Sequence, residues 1–173
     1  MNTNGSGGHV PTVVVGVDGS AGSKEAFHWA TAEARLRKSP LRIVHAWTYG
    51  YVGAPMAGYA YESDFANAAA VRAQELLDEL INGASDEIGG IETEREVVEG
   101  GAAAALVEAA APGDLLVVGS RGHGGFAGLL LGTVSQQCVH HAPCPVVIVH
   151  PSRTNADTEV PSRESEIEEA ARI

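Results

Sequence analysis

Apolar residues fall along the chain in short clusters separated by stretches of helical periodicity. Val13-Val-Val-Gly-Val17 is a β-branched run stopped by Asp18-Gly-Ser20, the pattern of a buried strand entering a turn. Ala26, Phe27, Ala30 and Ala34 then recur at spacings that put them on one helix face, with Ser23 as the expected cap and Pro40 as the break. Leu41–Trp47 predicts a second strand. Residues 48–63, rich in Gly and Tyr, predict a loop of a length that compact domains usually keep for function. A second helix is expected from about Asp64 to Ile81, with Ala69, Ala73, Leu76, Leu77 and Leu80 inward and Asn82-Gly83 ending it. Ile91–Glu99 alternates weakly and predicts a third, more exposed strand. Ala102–Ala111 predicts a short helix closed by Pro112-Gly113, and Leu115–Val118 a fully apolar fourth strand. A helix over Thr133–His141 and a fifth strand over Val146–Val149 complete the pattern.

Strands that alternate with helices and are apolar on both faces predict an α/β domain with a parallel sheet covered on both sides. In such a sheet the ligand crevice lies at the carboxyl ends of the strands, where strand order reverses. The pattern predicts one domain over residues 10–151, after a polar, Gly-rich and flexible segment 1–9. Residues 152–173 carry three arginines against six carboxylates and few large apolar residues, so an acidic, mostly disordered tail is expected. Within it, Glu164–Ile173 has the makings of a marginal helix on a partner.

Charge narrows the partners. The formal net charge of −11 and the lack of a basic cluster denser than Arg35, Arg37, Lys38 and Arg42 argue against nucleic acid. No run of about 18 uncharged apolar residues exists, so no membrane span is expected. Met1–His9 has neither an apolar run nor a basic start, and two cysteines make no disulfide framework, so the chain reads as cytoplasmic.

The segment richest in chemistry is Gly119-Ser-Arg-Gly122, then nine residues, then Gly132-Thr-Val-Ser135. Glycines where a strand ends and where a helix begins let the backbone approach a bulky anion. Free N–H groups at the helix start favour phosphate oxygens, and the hydroxyls of Thr133 and Ser135 add donors. A loop that uses glycine only for turning, with Thr133 as an ordinary cap, fits the same residues. Gly122-His-Gly-Gly-Phe-Ala127 matches the dinucleotide fingerprint but sits inside a loop, and Gly19-Ser-Ala-Gly-Ser-Lys24 has the wrong spacing for a P-loop. Asp18 ends the first strand and so points towards the crevice. It could meet ribose hydroxyls or a phosphate-bridging cation, or simply cap its own turn. His45 reads as packing. Cys138, His140, His141 and Cys144 lack the spacing of a zinc site and read as a buried thiol with surface histidines; no metal site is expected. No catalytic constellation can be assembled.

Val13–Asp18, the strand bearing His45-Ala46, the glycine pattern Gly119-x-x-Gly122-(nine residues)-Gly132-Thr133 and Pro143-Cys-Pro-Val-Val-Ile-Val149 together resemble the universal stress protein family, specifically its ATP-binding branch. The resemblance covers about residues 10–150 and implies a five-stranded parallel sheet of order 3-2-1-4-5, Rossmann-like, with helices on both faces. It implies ATP held by Gly119, Ser120, Gly122, Gly132, Thr133, Val134 and Ser135, with Val118 lining the pocket. Gly16, Val17 and Asp18 would correspond to the first-strand segment at the nucleotide, and Ala46 to the residue whose backbone meets adenine. Gly16-Val17 departs from the Pro-Thr of some members, which removes a side-chain hydroxyl. The resemblance further implies a homodimer through the last strand, Val146–Val149. Mg2+ is the candidate for a divalent ion accompanying the nucleotide, an identity the residues leave open. The function implied is a nucleotide-dependent regulator or sensor in stress response, hydrolysing ATP slowly at most. The alternative is a protein–protein interaction module of the same fold that needs no nucleotide; a flavin carrier or ATP pyrophosphatase is a more distant third.

Overall fold

The computed structural model describes residues 9–48, 59–122 and 130–151. Five strands and five helices alternate along them: β1 (Val13–Gly16), α1 (Ala21–Arg37), β2 (Leu41–Trp47), α2 (Tyr59–Gly83), α3 (Ser85–Ile88), β3 (Thr93–Glu99), α4 (Ala102–Ala109), β4 (Leu115–Gly119), α5 (Thr133–His141) and β5 (Val146–Val149). The strands form one parallel sheet, as the alternation of apolar runs and helices predicts, in the order β3-β2-β1-β4-β5 that the resemblance implies. Val15 sits opposite Ile43 on one side and Val117 on the other, so β1 is buried on both faces and both edges.

Two apolar layers sandwich the sheet. On one face Val13, Val15, Ile43 and Val117 meet Ala26, Phe27, Ala30 and Ala34 of α1, together with Leu77 and Ile81 of α2. On the other, Val14, Val44, Leu116 and Val118 meet Leu106 and Ala109 of α4 and Cys138 of α5. The alternate residues of each strand feed opposite layers, as the two-residue period of a strand requires.

The structure moves several expected boundaries. The cap of α1 is Ser20, not Ser23: the Ser20 hydroxyl accepts from the Ser23 N–H at 3.2 Å. Ser23 is the third residue of the helix, and its own hydroxyl donates to the Ser20 carbonyl at 3.0 Å. Helix α2 begins at Tyr59, inside the segment expected to be loop; residues 49–58 of that segment lie outside the described residues. Its inward stripe is Ala73, Leu77 and Ile81, while Ala69, Leu76 and Leu80 are half-buried. The single turn α3 was not expected, being too short to show a period. Residues 1–8 and the tail 152–173 lie outside the described residues.

The edges of the sheet differ. Strand β3 bears Glu94, Arg95, Glu96 and Glu99, whereas β5 is Val-Val-Ile-Val, uncharged and half-buried. At the amino-terminal end of β4, the buried Asp114 carboxylate accepts the N–H groups of Thr12 and Ala111, each at 2.8 Å, and lies 2.6 Å from His9 Nε2. His9, the last residue of the segment expected to be flexible, is thereby tied to the sheet.

Candidate functional site

At the carboxyl ends of β1 and β4, where the strand order reverses, the chain encloses a cavity of about 330 Å³. Gly16, Val17 and Asp18 leaving β1 form one wall, with Ala46 of β2 beside them. Val118, Gly119 and Gly122 leaving β4 form another, and Gly132, Thr133, Val134 and Ser135 at the start of α5 close it. Of the twelve residues singled out from the sequence, eleven therefore line one cavity. The exception is Ser120, which is fully buried beneath it.

The glycines differ in cause. None of Gly119, Gly122 and Gly132 has a positive φ, so turning is not what they supply. A Cβ on Gly119 would lie 2.8 Å from the Gly22 carbonyl carbon and 3.1 Å from the Ser23 nitrogen, backbone atoms that cannot swing aside. A Cβ on Gly22 would in turn lie 2.7 Å from the Arg121 carbonyl oxygen. The chain leaving β4 thus crosses the first turn of α1 backbone to backbone. A Cβ on Gly122 would collide with Asp18 Oδ2. The reading that glycine at 119 clears space for an anion is therefore corrected: helix α1 itself occupies that space. Gly132 is the exception, with φ −78° and no atom closer than 3.5 Å to an added Cβ. Nothing in the packing demands a glycine there.

Gly132 is the N-cap of α5, and no side chain caps the helix. The first-turn amides of Thr133, Val134 and Ser135 have no acceptor among the described residues, which leaves partial positive charge at the cavity wall. The Thr133 side chain is exposed there. The Ser135 hydroxyl, expected to be a ligand donor, is instead turned inward towards the carbonyls of Ser120, at 3.0 Å, and Gly132, at 2.9 Å. It fastens α5 to the exit of β4. The Gly132 N–H donates to that same Ser120 carbonyl at 2.7 Å, and the Ser120 N–H donates to Val149. The Ser120 hydroxyl, by contrast, has no partner among the described residues.

His45 is buried, with Nδ1 2.7 Å from the Val17 carbonyl, so it braces the chain leaving β1. Asp18 Oδ1 accepts the Ser20 N–H at 2.9 Å, the turn-capping role, while its carboxylate still lines the cavity. Asp18 and Arg121 are the only charged side chains among the described lining residues. Val17, Val44, Leu106 and Val118 contribute apolar lining. Sequence reasoning missed Val44, Leu106, Arg121 and above all Gly22. The one available signal was a glycine in the first turn of a helix, where alanine would be the better helix former.

Cys138 is fully buried under α4 and β4, and burial pushes its thiol from 9.0 up to about 11. Burial also raises the Cys144 thiol. His140 and His141 are exposed. No group of three or more metal-ligating side chains occurs among the described residues, and no helix among them is long and apolar enough to cross a membrane.

A five-stranded parallel sheet with a cavity at its switch point defines a Rossmann-like α/β protein. Within that class, the chain belongs to the universal stress protein family, whose model matches residues 10–150. Universal stress protein Rv2623 of Mycobacterium tuberculosis is 34% identical over 146 residues, covering 80% of this chain and 47% of that protein. A universal stress protein of Thermus aquaticus is 34% identical over 143 residues, covering 80% of this chain and 97% of the relative. The chain thus spans about half the length of several curated relatives it matches. Among solved structures, a universal stress protein in complex with cAMP is 32% identical with a TM-score of 0.57, over 84% of this chain and 100% of the other. UspA of Lactobacillus plantarum shares the fold, with a TM-score of 0.69 at 20% identity, over 82% of this chain and 99% of the other.

Proposed function

We propose that this chain is an ATP-binding universal stress protein that acts as a nucleotide-dependent regulator in stress response, with slow hydrolysis at most. The observation that carries the reading is the uncapped start of α5 at the cavity, opened by a glycine that the protein's own packing does not require. Phosphate oxygens would satisfy the amides of Thr133, Val134 and Ser135, with the dipole of α5 in their favour. The apolar lining of Val17, Val44, Leu106 and Val118 suits a purine, with the backbone at Ala46 within the same cavity to meet its edge. A relative with cAMP bound supports an adenine nucleotide. Mg2+ carried by the phosphates would find the Asp18 carboxylate at the wall, a fit for an ion that usually keeps few protein ligands. The ion would supply charge neutralisation between carboxylate and phosphate. No residue is placed as an acid, base or nucleophile, which is why a regulator is favoured over an enzyme.

The uncharged β5 edge, unlike the charged β3 edge, supports a homodimer through Val146–Val149. The two free thiols suit the reducing cytoplasm. The test is mass analysis of small molecules released from freshly purified, denatured protein, followed by calorimetry with ATP. Adenine nucleotide is expected on the wild type. Gly132→Val should keep the folded far-UV spectrum and lose ATP binding about tenfold or more, because the added branches stand where phosphate approaches. Wild-type protein that neither carries nor binds an adenine nucleotide would sink the reading.

A further inference from the structure

The described residues include six arginines, and five of them are partnered. Arg37 pairs with Glu33, Arg42 with Glu94, Arg72 with Glu75 and Arg95 with Asp78, while Arg35 donates to the Glu87 carbonyl. Arg121 makes no side-chain hydrogen bond or ion pair among the described residues. In a chain with 22 carboxylates against 11 lysines and arginines, acceptors are abundant, so an arginine without one stands out. Its position adds a second observation, because Arg121 lines the cavity and is the one cation among the described lining residues. A third concerns its backbone. The Arg121 carbonyl rests on the bare Cα of Gly22, so the main chain is seated against α1 while the guanidinium stays exposed.

We propose that Arg121 reads the charge of the bound nucleotide, favouring di- and triphosphates over monophosphate and cyclic forms. The inference rests on the nucleotide reading of this cavity and deepens it. A guanidinium offers a planar fork of donors that matches two phosphate oxygens, and it cannot lose its proton in the working pH range. A chain of net charge −11 repels a polyanion, and a local cation at the cavity offsets that repulsion most for the most highly charged ligand. Gly22 acts as the positioning residue, since any side chain there would push the Arg121 carbonyl away.

The experiment is calorimetry of the full chain with ATP, AMP and cAMP, on the wild type and on R121Q and R121K, with inorganic triphosphate as a separate probe. Because Arg121 is exposed, R121Q should melt with the wild type. R121Q is expected to weaken ATP about tenfold while AMP and cAMP stay within about twofold, and to flatten the salt dependence of ATP binding; R121K should restore part of the loss. Equal losses for all three nucleotides, or no loss for any, overturn the proposal. If the wild type binds no adenine nucleotide yet binds triphosphate, and R121Q removes that, the charge-reading role stands while the nucleotide reading fails. If triphosphate also fails to bind, both fall.

Discussion

At the amino-terminal end of β1 and β4 the polar groups close on one another, while at the carboxyl end of the same two strands they are left facing a cavity. Asp114 shows the first arrangement: a buried carboxylate taking two backbone N–H groups at 2.8 Å and meeting His9 at 2.6 Å. Five residues of β4 later, the second arrangement begins. There Ser120 holds a buried hydroxyl with no partner among the described residues, Arg121 makes no ion pair among them, and α5 starts without a side-chain cap. The Arg121 side chain and the uncapped amides of α5 face the cavity and mark where a ligand is expected to supply partners, whereas the Ser120 hydroxyl lies beneath it. The closed end maintains the fold, and the open end is available for binding.

The strongest way to break this contrast is Asp114→Ala. It removes the acceptor for Thr12 and Ala111, leaving a buried and a part-buried N–H without it, with an expected loss of about 3 kcal/mol in chemical denaturation. Nucleotide affinity of the folded protein should stay within about twofold. A variant of near wild-type stability would show that the closed end does not hold the fold, and a selective loss of affinity would show that the two ends are not separate.

Cys138 lies between the ends, in the helix that starts at the cavity and packs on β4. Its thiol keeps its proton to about 11 in the folded chain, against 9.0 ordinarily, because burial disfavours the thiolate. Above pH 9 the unfolded chain loses that proton while the folded chain retains it, so stability is intact below pH 9 and falls as pH rises towards 11. The loss should be on the order of 2 kcal/mol, seen as a shift in the urea midpoint, and much reduced in Cys138→Ala. A wild-type midpoint that is flat between pH 9 and 11 would mean that α5 opens readily enough to hydrate the thiol. The cavity wall would then be mobile rather than fixed.

Much of this arrangement is legible in the residues themselves. β-branched runs ending in glycine or aspartate, alternating with helical stripes, fix the parallel sheet, and the paired glycine segments mark the crevice. What is not legible is tertiary in origin. Ser20 and Ser23 are both good caps, and the structure has Ser20 accept the Ser23 N–H while the Ser23 hydroxyl turns to the Ser20 carbonyl and the Asp18 N–H. Glycine at 119 looks like a phosphate glycine, but its cause is residue 22, nearly a hundred positions earlier in the chain. Ser135 looks like a ligand donor until the chain brings the Ser120 carbonyl to it. Local patterns carry no information about which backbones cross.

The finest test of the contrast is Ser120→Ala. All the structural work of residue 120 passes through its main chain: the N–H to Val149, and the carbonyl that receives Gly132 and Ser135. Alanine keeps each of these bonds. It deletes only a hydroxyl that is buried without a partner among the described residues, a group whose desolvation is uncompensated there. Stability should therefore be unchanged or rise by up to about 1 kcal/mol, the smallest effect of the three. Because Ser120 lies beneath the cavity and does not line it, ATP affinity should hold within about twofold. If instead Ser120→Ala gains stability and loses affinity together, the hydroxyl turns towards the nucleotide on binding. The open end would then extend one layer deeper than the residues that line the cavity.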